Sequence, residues 1–276
     1  MAQRTPAWQR LLSEGFFQTR QEAQRWILSG KVRSGDAVIT SAGQMIRNDK
    51  PLAVKGQSQK YLSKGGLKLE GALNAFSISV DGRVCIDAGA STGGFTDCLL
   101  QHNARLVYAV DVGFGQLAGS LRSHPRVVNK ERTNIGDSSL LQLDPVPTFG
   151  AVDLSYLSLR KAVPQIAGII HELGDLVCLV KPLFEIDDPV ARRTGVIADG
   201  AYLPLLDSLI SSLTSDGYPV LGLTHSPVTG NQGTLEFFLW ISLGQQSINK
   251  RPARFPSHEV IQSVVEAAKA LPRYHK

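Results

Sequence analysis

Residues 83–100 read RVCIDAGASTGGFTDCLL, and this stretch decides the fold. A run of apolar, strand-forming residues ends at Asp87, and a loop with glycines at Gly89, Gly93 and Gly94 follows. Apolar residues at helical spacing come next. This order is typical of the first strand and helix of a parallel sheet, and the glycines let a ligand approach the backbone.

The rest of the chain repeats the alternation of strand and helix from residue 65 onward. We predict helices at 65–76, 94–102, 115–122, 158–172, 201–214 and 257–270. We predict strands at 83–87, 106–111, 127–130, 149–153, 175–180, 219–224 and 235–242. Alternation of this kind predicts an α/β fold, with a Rossmann-like parallel sheet covered by helices on both faces.

The glycine loop falls at the carboxyl end of the first strand, where open parallel sheets bind their ligands. It lacks the G-x-G-x-x-G spacing of a dinucleotide site, which argues against a nicotinamide oxidoreductase. Asp111 ends the next strand, twenty-two residues after Gly89, where an acid accepts hydrogen bonds from ribose hydroxyls. These features predict S-adenosylmethionine, with its methionine part facing Asp87 and the loop amides and its ribose held by Asp111.

Further residues near these strand ends are candidate cofactor contacts. Ser91 and Thr92 of the glycine loop carry hydroxyls for the methionine carboxylate. Thr133 and Asn134 follow the third strand, where this fold contacts adenine. The complete predicted cofactor set is Asp87, Gly89, Ser91, Thr92, Gly93, Gly94, Asp111, Thr133 and Asn134.

Four charged residues stand in otherwise apolar segments. Lys68 lies in the helix GGLKLEGALNAF, and Asp153 and Lys181 end the fourth and fifth strands. Glu236 lies in the predicted strand TLEFFLWIS. Buried charges are costly unless they are paired, so we expect these four to gather at one edge of the sheet. The alternative is four unrelated surface charges.

The basic excess of the chain belongs to its N-terminal segment. Residues 1–60 contain ten Lys/Arg and four Asp/Glu, a balance of +6, whereas the other 216 residues contain nineteen and twenty. Residues 7–60 predict two short helices, a turn at Gly30 and then strands. A basic module of this kind is typical of contact with nucleic acid, and a merely soluble surface is the alternative.

The stretches TRQEAQRWILSGKVRSGD (19–36) and RNDKPLAV (47–54) resemble the alpha-L RNA-binding motif of the S-four type. The resemblance implies phosphate contacts by a basic helix face and the loop after it. These fall on Arg20, Gln24, Arg25, Lys31 and Arg33. The chain departs from the motif before the first helix, where TPAWQR replaces an Arg-Leu-Asp.

Seven stretches together resemble the TlyA family of rRNA methyltransferases, also called haemolysins, with an FtsJ-like catalytic domain. They are SKGGLKL, DAGASTGGFTDCLL, AVDVGFGQL, ERTN, AVDLSYLSL, VKPLFE and GNQGTLEFFLW. The resemblance implies a Rossmann-like S-adenosylmethionine-dependent methyltransferase behind a small α+β RNA-binding domain. We predict boundaries at 1–60 for RNA binding, 61–245 for methyl transfer and 246–276 for an extension.

The same resemblance places a Lys-Asp-Lys-Glu catalytic set on Lys68, Asp153, Lys181 and Glu236. It implies transfer of a methyl group to a ribose 2′-hydroxyl, typically of a cytidine, with ribosomal RNA or ribosomal subunits as the partner rather than DNA. Leu183 departs from the family, in which KPQFE is common where this chain has KPLFE.

Methyl transfer to a hydroxyl needs a base, and we predict Lys181 in that role. A free lysine has a pKa near 10.4, and lowering it to roughly 7–8 requires about 4 kcal/mol of differential interaction. Burial and the neighbouring cation of Lys68 favour that change. Asp153 and Glu236 oppose it, so we expect them to orient the amines and hold the hydroxyl.

Two other functions remain open from the sequence. One is an RNA-binding protein without catalysis, and the other is a membrane-active haemolysin. No run of about 18 apolar residues is present, and FFLWISL (237–243) is too short to cross a bilayer. The start of the chain lacks a secretion signal, and the three cysteines have no metal-ligand spacing, so we expect a cytoplasmic protein without a metal.

Overall fold

The computed structural model describes residues 4–17, 19–48, 50, 52–56, 60–171, 174–230, 233–243 and 256–271. Residues up to 56 form a small α+β unit. Its elements are β1 (Arg4–Pro6), α1 (Ala7–Ser13), α2 (Arg20–Leu28), β2 (Val32–Ser34), β3 (Ala37–Val38), β4 (Met45–Arg47) and β5 (Leu52–Val54). β2 pairs antiparallel with both β3 and β5, and β1 pairs antiparallel with β4.

The N-terminal unit folds as its local signals predict. Thr19 caps α2, because its hydroxyl oxygen accepts a hydrogen bond from the backbone NH of Glu22 at 3.1 Å. Ala23 and Ile27 then face a core that also contains Leu11 and Phe17. The opposite side of α2 stays exposed and carries its polar residues.

The larger unit contains eight α-helices and seven strands in the described residues. They are α3 (Lys64–Phe76), β6 (Val84–Ala88), α4 (Gly94–Gln101), β7 (Leu106–Asp111), α5 (Gly119–Arg122), β8 (Val127–Glu131), β9 (Phe149–Val152), α6 (Leu159–Ile169), β10 (Asp175–Val180), α7 (Pro182–Glu185), α8 (Pro189–Thr194), α9 (Tyr202–Ser215), β11 (Val220–His225), β12 (Phe237–Ser242) and α10 (His258–Lys269).

Seven strands form one sheet in the order β11-β12-β10-β9-β6-β7-β8. β6 to β10 are parallel, whereas β12 is antiparallel to both β10 and β11. The strand order reverses between β6 and β9, and ligands bind beside the carboxyl ends of strands at such a point. This sheet confirms the predicted α/β fold class.

Helices cover both faces of the sheet. This cover is needed because the side chains of β6 are buried on both faces. Ile86 packs into one core, together with Ile166 of α6 and Leu209 of α9. Cys85 packs into the other core, together with α3 and α4. Because successive residues of a strand point to opposite faces, a strand buried on both sides contains hardly any polar residues.

The C-terminal helix α10 lies close to the predicted range of 257–270. Its apolar face, which includes Ile261 and Val265, is buried in the same core as α9 and β11. The helix therefore covers the sheet beside its edge strand. The basic stretch NKRPAR before it lies outside the described residues. No helix in the described ranges is long and apolar enough to cross a membrane.

The structure corrects two predicted helices and adds two that were not predicted. The helix predicted at 115–122 forms only over α5, because side chains bind the backbone NH groups of the preceding loop: Asp111 accepts from Gly113, and Glu131 accepts from Gln116 and Leu117. The helix predicted at 158–172 ends at Ile169. Two short helices, α7 and α8, were not predicted.

Candidate active site

The four charged residues predicted to gather do lie at one edge of the sheet. Asp153 follows β9 and Lys181 follows β10. Glu236 immediately precedes β12 instead of lying inside it, which corrects the predicted strand boundary. Since β12 runs antiparallel to β10, with Phe237 opposite Val180, the residue that enters β12 meets the carboxyl end of β10.

These residues form two ion pairs. The Nζ atom of Lys68 lies 2.5 Å from Oε2 of Glu236, and the Nζ atom of Lys181 lies 2.5 Å from Oδ1 of Asp153. Lys181 also donates a hydrogen bond to the hydroxyl of Ser155 at 3.0 Å. Lys68 and Glu236 are 7% and 5% exposed, and buried charges of this kind persist only when paired.

Electrostatics shows that the two ion pairs adjoin. Burial disfavours the charge on Lys68, but the carboxylates of Glu236 and Asp153 outweigh it, so the pKa of Lys68 lies above its ordinary value. Asp153, although it pairs with Lys181, is thus close enough to act on Lys68. The arrangement is a mutually neutralised group of two lysines and two carboxylates.

Lys181 immediately precedes the short helix α7, whose position is fixed by hydrogen bonds to another helix. Pro182 begins α7, and the carboxylate of Glu185 at its end accepts hydrogen bonds from the Ser158 hydroxyl at 2.6 Å and the Leu159 NH at 2.7 Å. These are the first groups of α6, so α7 is tied to a second helix. Burial raises the pKa of Glu185. Sequence reasoning missed Ser155 and Glu185.

The glycines of the loop after β6 are required by packing within the protein. Gly89 has φ +94°, and a Cβ there would overlap the backbone carbonyl oxygen of Asp153. Gly93 has φ +100°, and a Cβ there would overlap Leu121. The loop is therefore pressed against the end of β9 and against α5. Its approach to a cofactor stays a prediction.

Asp87 is a fully buried carboxylate near the end of β6. Its Oδ2 atom accepts a hydrogen bond from the Thr96 hydroxyl at 2.6 Å, whereas its buried Oδ1 atom accepts none within the described part of the chain. Burial raises the pKa of Asp87 to about 7. An acceptor left unsatisfied at a ligand-binding edge is suited to the ammonium of a bound amino-acid group.

Asp111, predicted to hold a ribose, also organises the surrounding loops. Its Oδ2 accepts from the NH of Ser91 at 2.8 Å and its Oδ1 from the NH of Gly113 at 2.7 Å. Each carboxylate oxygen has two lone pairs, so both oxygens still have acceptor capacity for hydroxyls. The carboxylate thereby connects the loops that follow β6 and β7.

The remaining predicted cofactor residues lie around these loops. The carbonyl of Thr92 accepts from the NH of Ala118, and the NH of Thr133 donates to the Asp111 carbonyl at 2.9 Å. Asn134 uses its side-chain oxygen to accept from Gly136 at 2.9 Å. The structure thus places the predicted set around the carboxyl ends of β6, β7 and β8.

Glu131 is a further member of this region that sequence reasoning missed. Besides the NH groups of Gln116 and Leu117, its carboxylate accepts a hydrogen bond from the side chain of Asn129 at 3.1 Å. Burial opposes its charge, but these donors outweigh burial and hold the pKa of Glu131 at about 2. Glu131 therefore fixes the loop that follows Asp111.

The five predicted RNA contacts all lie on the exposed surface of the N-terminal unit. Arg20 lies over the ring of Trp8 at 4.9 Å and Lys31 over the ring of Trp26 at 4.8 Å. Arg33 donates to the carbonyl of Asp36 at 2.7 Å. Gln24 and Arg25 are exposed on α2. Cations beside aromatic rings form a surface typical of single-stranded nucleic-acid binding.

The strand order, the glycine turn after the first parallel strand and the acid ending the second define a Rossmann-like methyltransferase. The chain belongs to the FtsJ-like methyltransferase family, which matches residues 61–243. This membership confirms that the protein is an enzyme of the methyltransferase class.

Individual relatives confirm the resemblance to TlyA. The chain is 40% identical over 266 residues to YqxC of Bacillus subtilis, named as a candidate rRNA methyltransferase, covering 95% of this chain and 93% of that protein. It is 37% identical to the 16S/23S rRNA (cytidine-2′-O)-methyltransferase TlyA of Mycobacterium tuberculosis, covering 87% and 91%. A solved structure from Streptococcus thermophilus, named as a candidate hemolysin, is 33% identical with a TM-score of 0.81, covering 98% and 97%.

Proposed function

We propose that this enzyme transfers a methyl group from S-adenosylmethionine to the ribose 2′-hydroxyl of a cytidine in ribosomal RNA. The observation that carries the proposal is the convergence of the Lys68–Glu236 and Lys181–Asp153 ion pairs beside the loop after β6. The names of the relatives supply the RNA and the target atom. Because ribosomal RNA lies in the cytoplasm, we propose the same location for the enzyme.

The residues at the sheet edge fit the cofactor. The unsatisfied Oδ1 of Asp87 is an acceptor for the α-ammonium, and the hydroxyls of Ser91 and Thr92 are donors for the carboxylate. Asp111 retains acceptor capacity for the ribose, with Thr133 and Asn134 beside it. When bound, the cofactor supplies the methyl group and a positively charged sulfonium. The glycine residues Gly89, Gly93 and Gly94 shape the backbone of this cradle.

Lys181 takes the proton of the attacking hydroxyl in this proposal. Its neutral amine would accept that proton, and the bound cofactor would supply the methyl group that replaces it on the oxygen. Asp153, which pairs with the Lys181 amine at 2.5 Å, stabilises the ammonium that forms. Lys68, held by Glu236, contributes a fixed positive charge beside this pair.

The rim of the site offers surfaces for RNA. Tyr156 follows Asp153 and Ser155, is 90% exposed and is held at φ +67°, with its ring centroid 5.1 Å from that of Phe184. An exposed aromatic side chain provides a face on which an unpaired base stacks. Phosphate contacts on the N-terminal unit come from its exposed cations, which are Arg20, Arg25, Lys31 and Arg33. Gln24 lies beside Arg25 on α2 and adds a hydrogen-bond donor.

The test measures methyl transfer and cofactor binding separately. Tritium transfer from labelled S-adenosylmethionine is measured on ribosomal subunits from cells that lack the enzyme, and calorimetry measures binding of S-adenosylhomocysteine. We expect Lys181→Ala to abolish transfer while cofactor binding persists. Lys161→Ala, an exposed lysine of α6, is the matched control and should retain both. Full transfer by Lys181→Ala, or label outside ribose 2′-oxygens, would contradict the proposal.

A further inference from the structure

Lys64 lies where three parts of the molecule meet. It is the first residue of α3, one helical turn before Lys68. Its Nζ atom donates to the carbonyl of Thr229 at 3.1 Å, in the connection that leads to Glu236. From the N-terminal unit, Gly15 packs so closely that a Cβ there would lie 3.1 Å from the Lys64 Cβ. Lys64 therefore connects the N-terminal unit with the methyl-transfer site.

Within the described residues Lys64 has no carboxylate partner of its own, although the charge of Glu236 acts on it. Lys68 pairs with Glu236 and Lys181 with Asp153, so the four predicted residues neutralise one another. No carboxylate of the described ranges forms an ion pair with Lys64. With Lys64 protonated, the group formed by Lys64 and the two ion pairs carries one excess positive charge.

The charged form of Lys64 is less favourable in the isolated protein than that of a lysine in water. Burial and the positive charge of Lys68 lower the pKa of Lys64 to about 8, and Glu236 offsets only part of their effect. Two lysines four residues apart on one helix also repel each other. From the turn after α1 the contact is Gly15, and the neighbouring Glu14 pairs with Arg10. An unfavourable cation of this kind gains most from an anionic ligand.

We infer that Lys64 binds a phosphate of the substrate RNA next to the target ribose. The inference rests on the function proposed above, since an RNA ribose at Lys181 brings its own backbone phosphates to the same site. The Thr229 carbonyl uses one of the three ammonium donors, and the side chain remains partly exposed. A bound phosphate would cancel the excess charge of the lysine group.

The experiment measures binding of ribosomal subunits that lack the modification, in saturating S-adenosylhomocysteine and fixed Mg²⁺, over a series of KCl concentrations. The proteins are wild type, Lys64→Gln, Lys64→Arg and the control Lys269→Gln, whose lysine pairs with Glu266 on α10. Lys64→Gln should weaken binding about tenfold or more. It should also reduce the slope of log affinity against log salt by about 0.7 to 0.9. Lys64→Arg and the control should keep the wild-type slope.

The pH dependence of subunit binding tests the inference in the wild-type protein as well. Binding is compared at pH 7 and pH 9, one unit on either side of the Lys64 pKa of about 8. The wild-type slope should fall toward that of Lys64→Gln at pH 9, because the amine loses its charge. Lys64→Arg keeps its charge at both values, so its slope should not change.

An unchanged salt slope in Lys64→Gln would overturn the inference, whatever the variant does to kcat and to S-adenosylhomocysteine binding. Lys64 would then only anchor the connection at Thr229. Failure of the proposed function is distinguishable, because it would appear as absent methyl transfer in the wild type. The binding slope tests Lys64 in either case.

Discussion

The two ion pairs of the site each join a lysine to a carboxylate at 2.5 Å, but they lie in different surroundings. The side chains of Lys68 and Glu236 are 9% and 6% exposed, whereas those of Lys181 and Asp153 are 20% and 22% exposed. A deeply buried pair is costly to break, because each partner would be left charged in a low dielectric. A pair near solvent exchanges partners and protons more easily.

This difference assigns separate tasks to the two lysines. Asp153 and Glu236 together keep Lys68 charged, with its pKa above the ordinary value. Lys181 has a second contact in the Ser155 hydroxyl, an oxygen that a substrate hydroxyl can replace. We therefore expect Lys68 to act as a fixed charge and Lys181 as the group that exchanges a proton.

Replacing each lysine by arginine gives the largest expected effect. Arginine keeps the positive charge but does not release its proton in proteins. Lys181→Arg should therefore lose methyl transfer by about a thousandfold or more, whereas Lys68→Arg should retain a measurable fraction of it. Single-turnover tritium transfer at saturating cofactor measures both. Equal losses in the two variants would remove the distinction between the lysines.

The second prediction concerns the free energy of unfolding. Glu236→Gln leaves the Lys68 ammonium buried without its closest carboxylate, which should lower the free energy of unfolding by about 3 kcal/mol. Asp153→Asn acts on a more exposed pair and should lower it by about 1 kcal/mol or less. Urea denaturation at neutral pH measures both variants. A larger loss of unfolding free energy in Asp153→Asn than in Glu236→Gln would show that the more exposed pair contributes more to stability, contrary to this prediction.

How much of this site was predictable from sequence depends on the range of each interaction. The charges that end β9 and β10 stood out because the strands before them are almost wholly apolar. The start of β12 at Phe237 was not predictable, since Leu235 and Glu236 continue the same apolar pattern. Only the pairing of β12 with β10 and β11 fixes where that strand begins.

Lys64, Glu131 and Glu185 were missed for a related reason. In the sequence Lys64 is an ordinary lysine at the start of a helix. Its significance comes from Gly15 and Thr229, which are about 50 and 165 residues away in the chain. Glu185 likewise binds the first residues of α6, 26 and 27 residues earlier. Contacts over such distances leave no local signal in one sequence.

The third prediction uses Asp87, a carboxylate as buried as Glu236 but without a lysine in its hydrogen-bonding contacts. Burial raises its pKa to about 7, so the protonated form dominates below pH 7 in the free protein. Binding the ammonium of S-adenosylhomocysteine requires the carboxylate. Affinity should therefore rise with pH up to about 7, by at most tenfold per unit, and then level off.

The raised pKa of Asp87 also determines how the stability of the fold depends on pH. An acid whose folded-state pKa lies above its unfolded value stabilises the fold fully below the unfolded pKa near 4, and that contribution is lost as pH rises through about 7. Asp87→Asn should remove this dependence from both cofactor affinity and stability. Calorimetry and thermal unfolding over a pH series check the two. An unchanged pH profile in Asp87→Asn would exclude Asp87 as the cause.

The smallest expected effect concerns the support of the exposed pair by Glu185. Its carboxylate ties the helix after Lys181 to Ser158 and Leu159, and Gln in its place preserves shape but weakens both hydrogen bonds. We expect Glu185→Gln to lower kcat several-fold while the KM for ribosomal subunits changes little, because Lys181 would be positioned less precisely. The variant Glu266→Gln, which removes an exposed carboxylate from α10, is the matched control. If Glu185→Gln raised KM and left kcat unchanged, Glu185 would support RNA binding instead, and the position of Lys181 would depend on Asp153 and Ser155 alone.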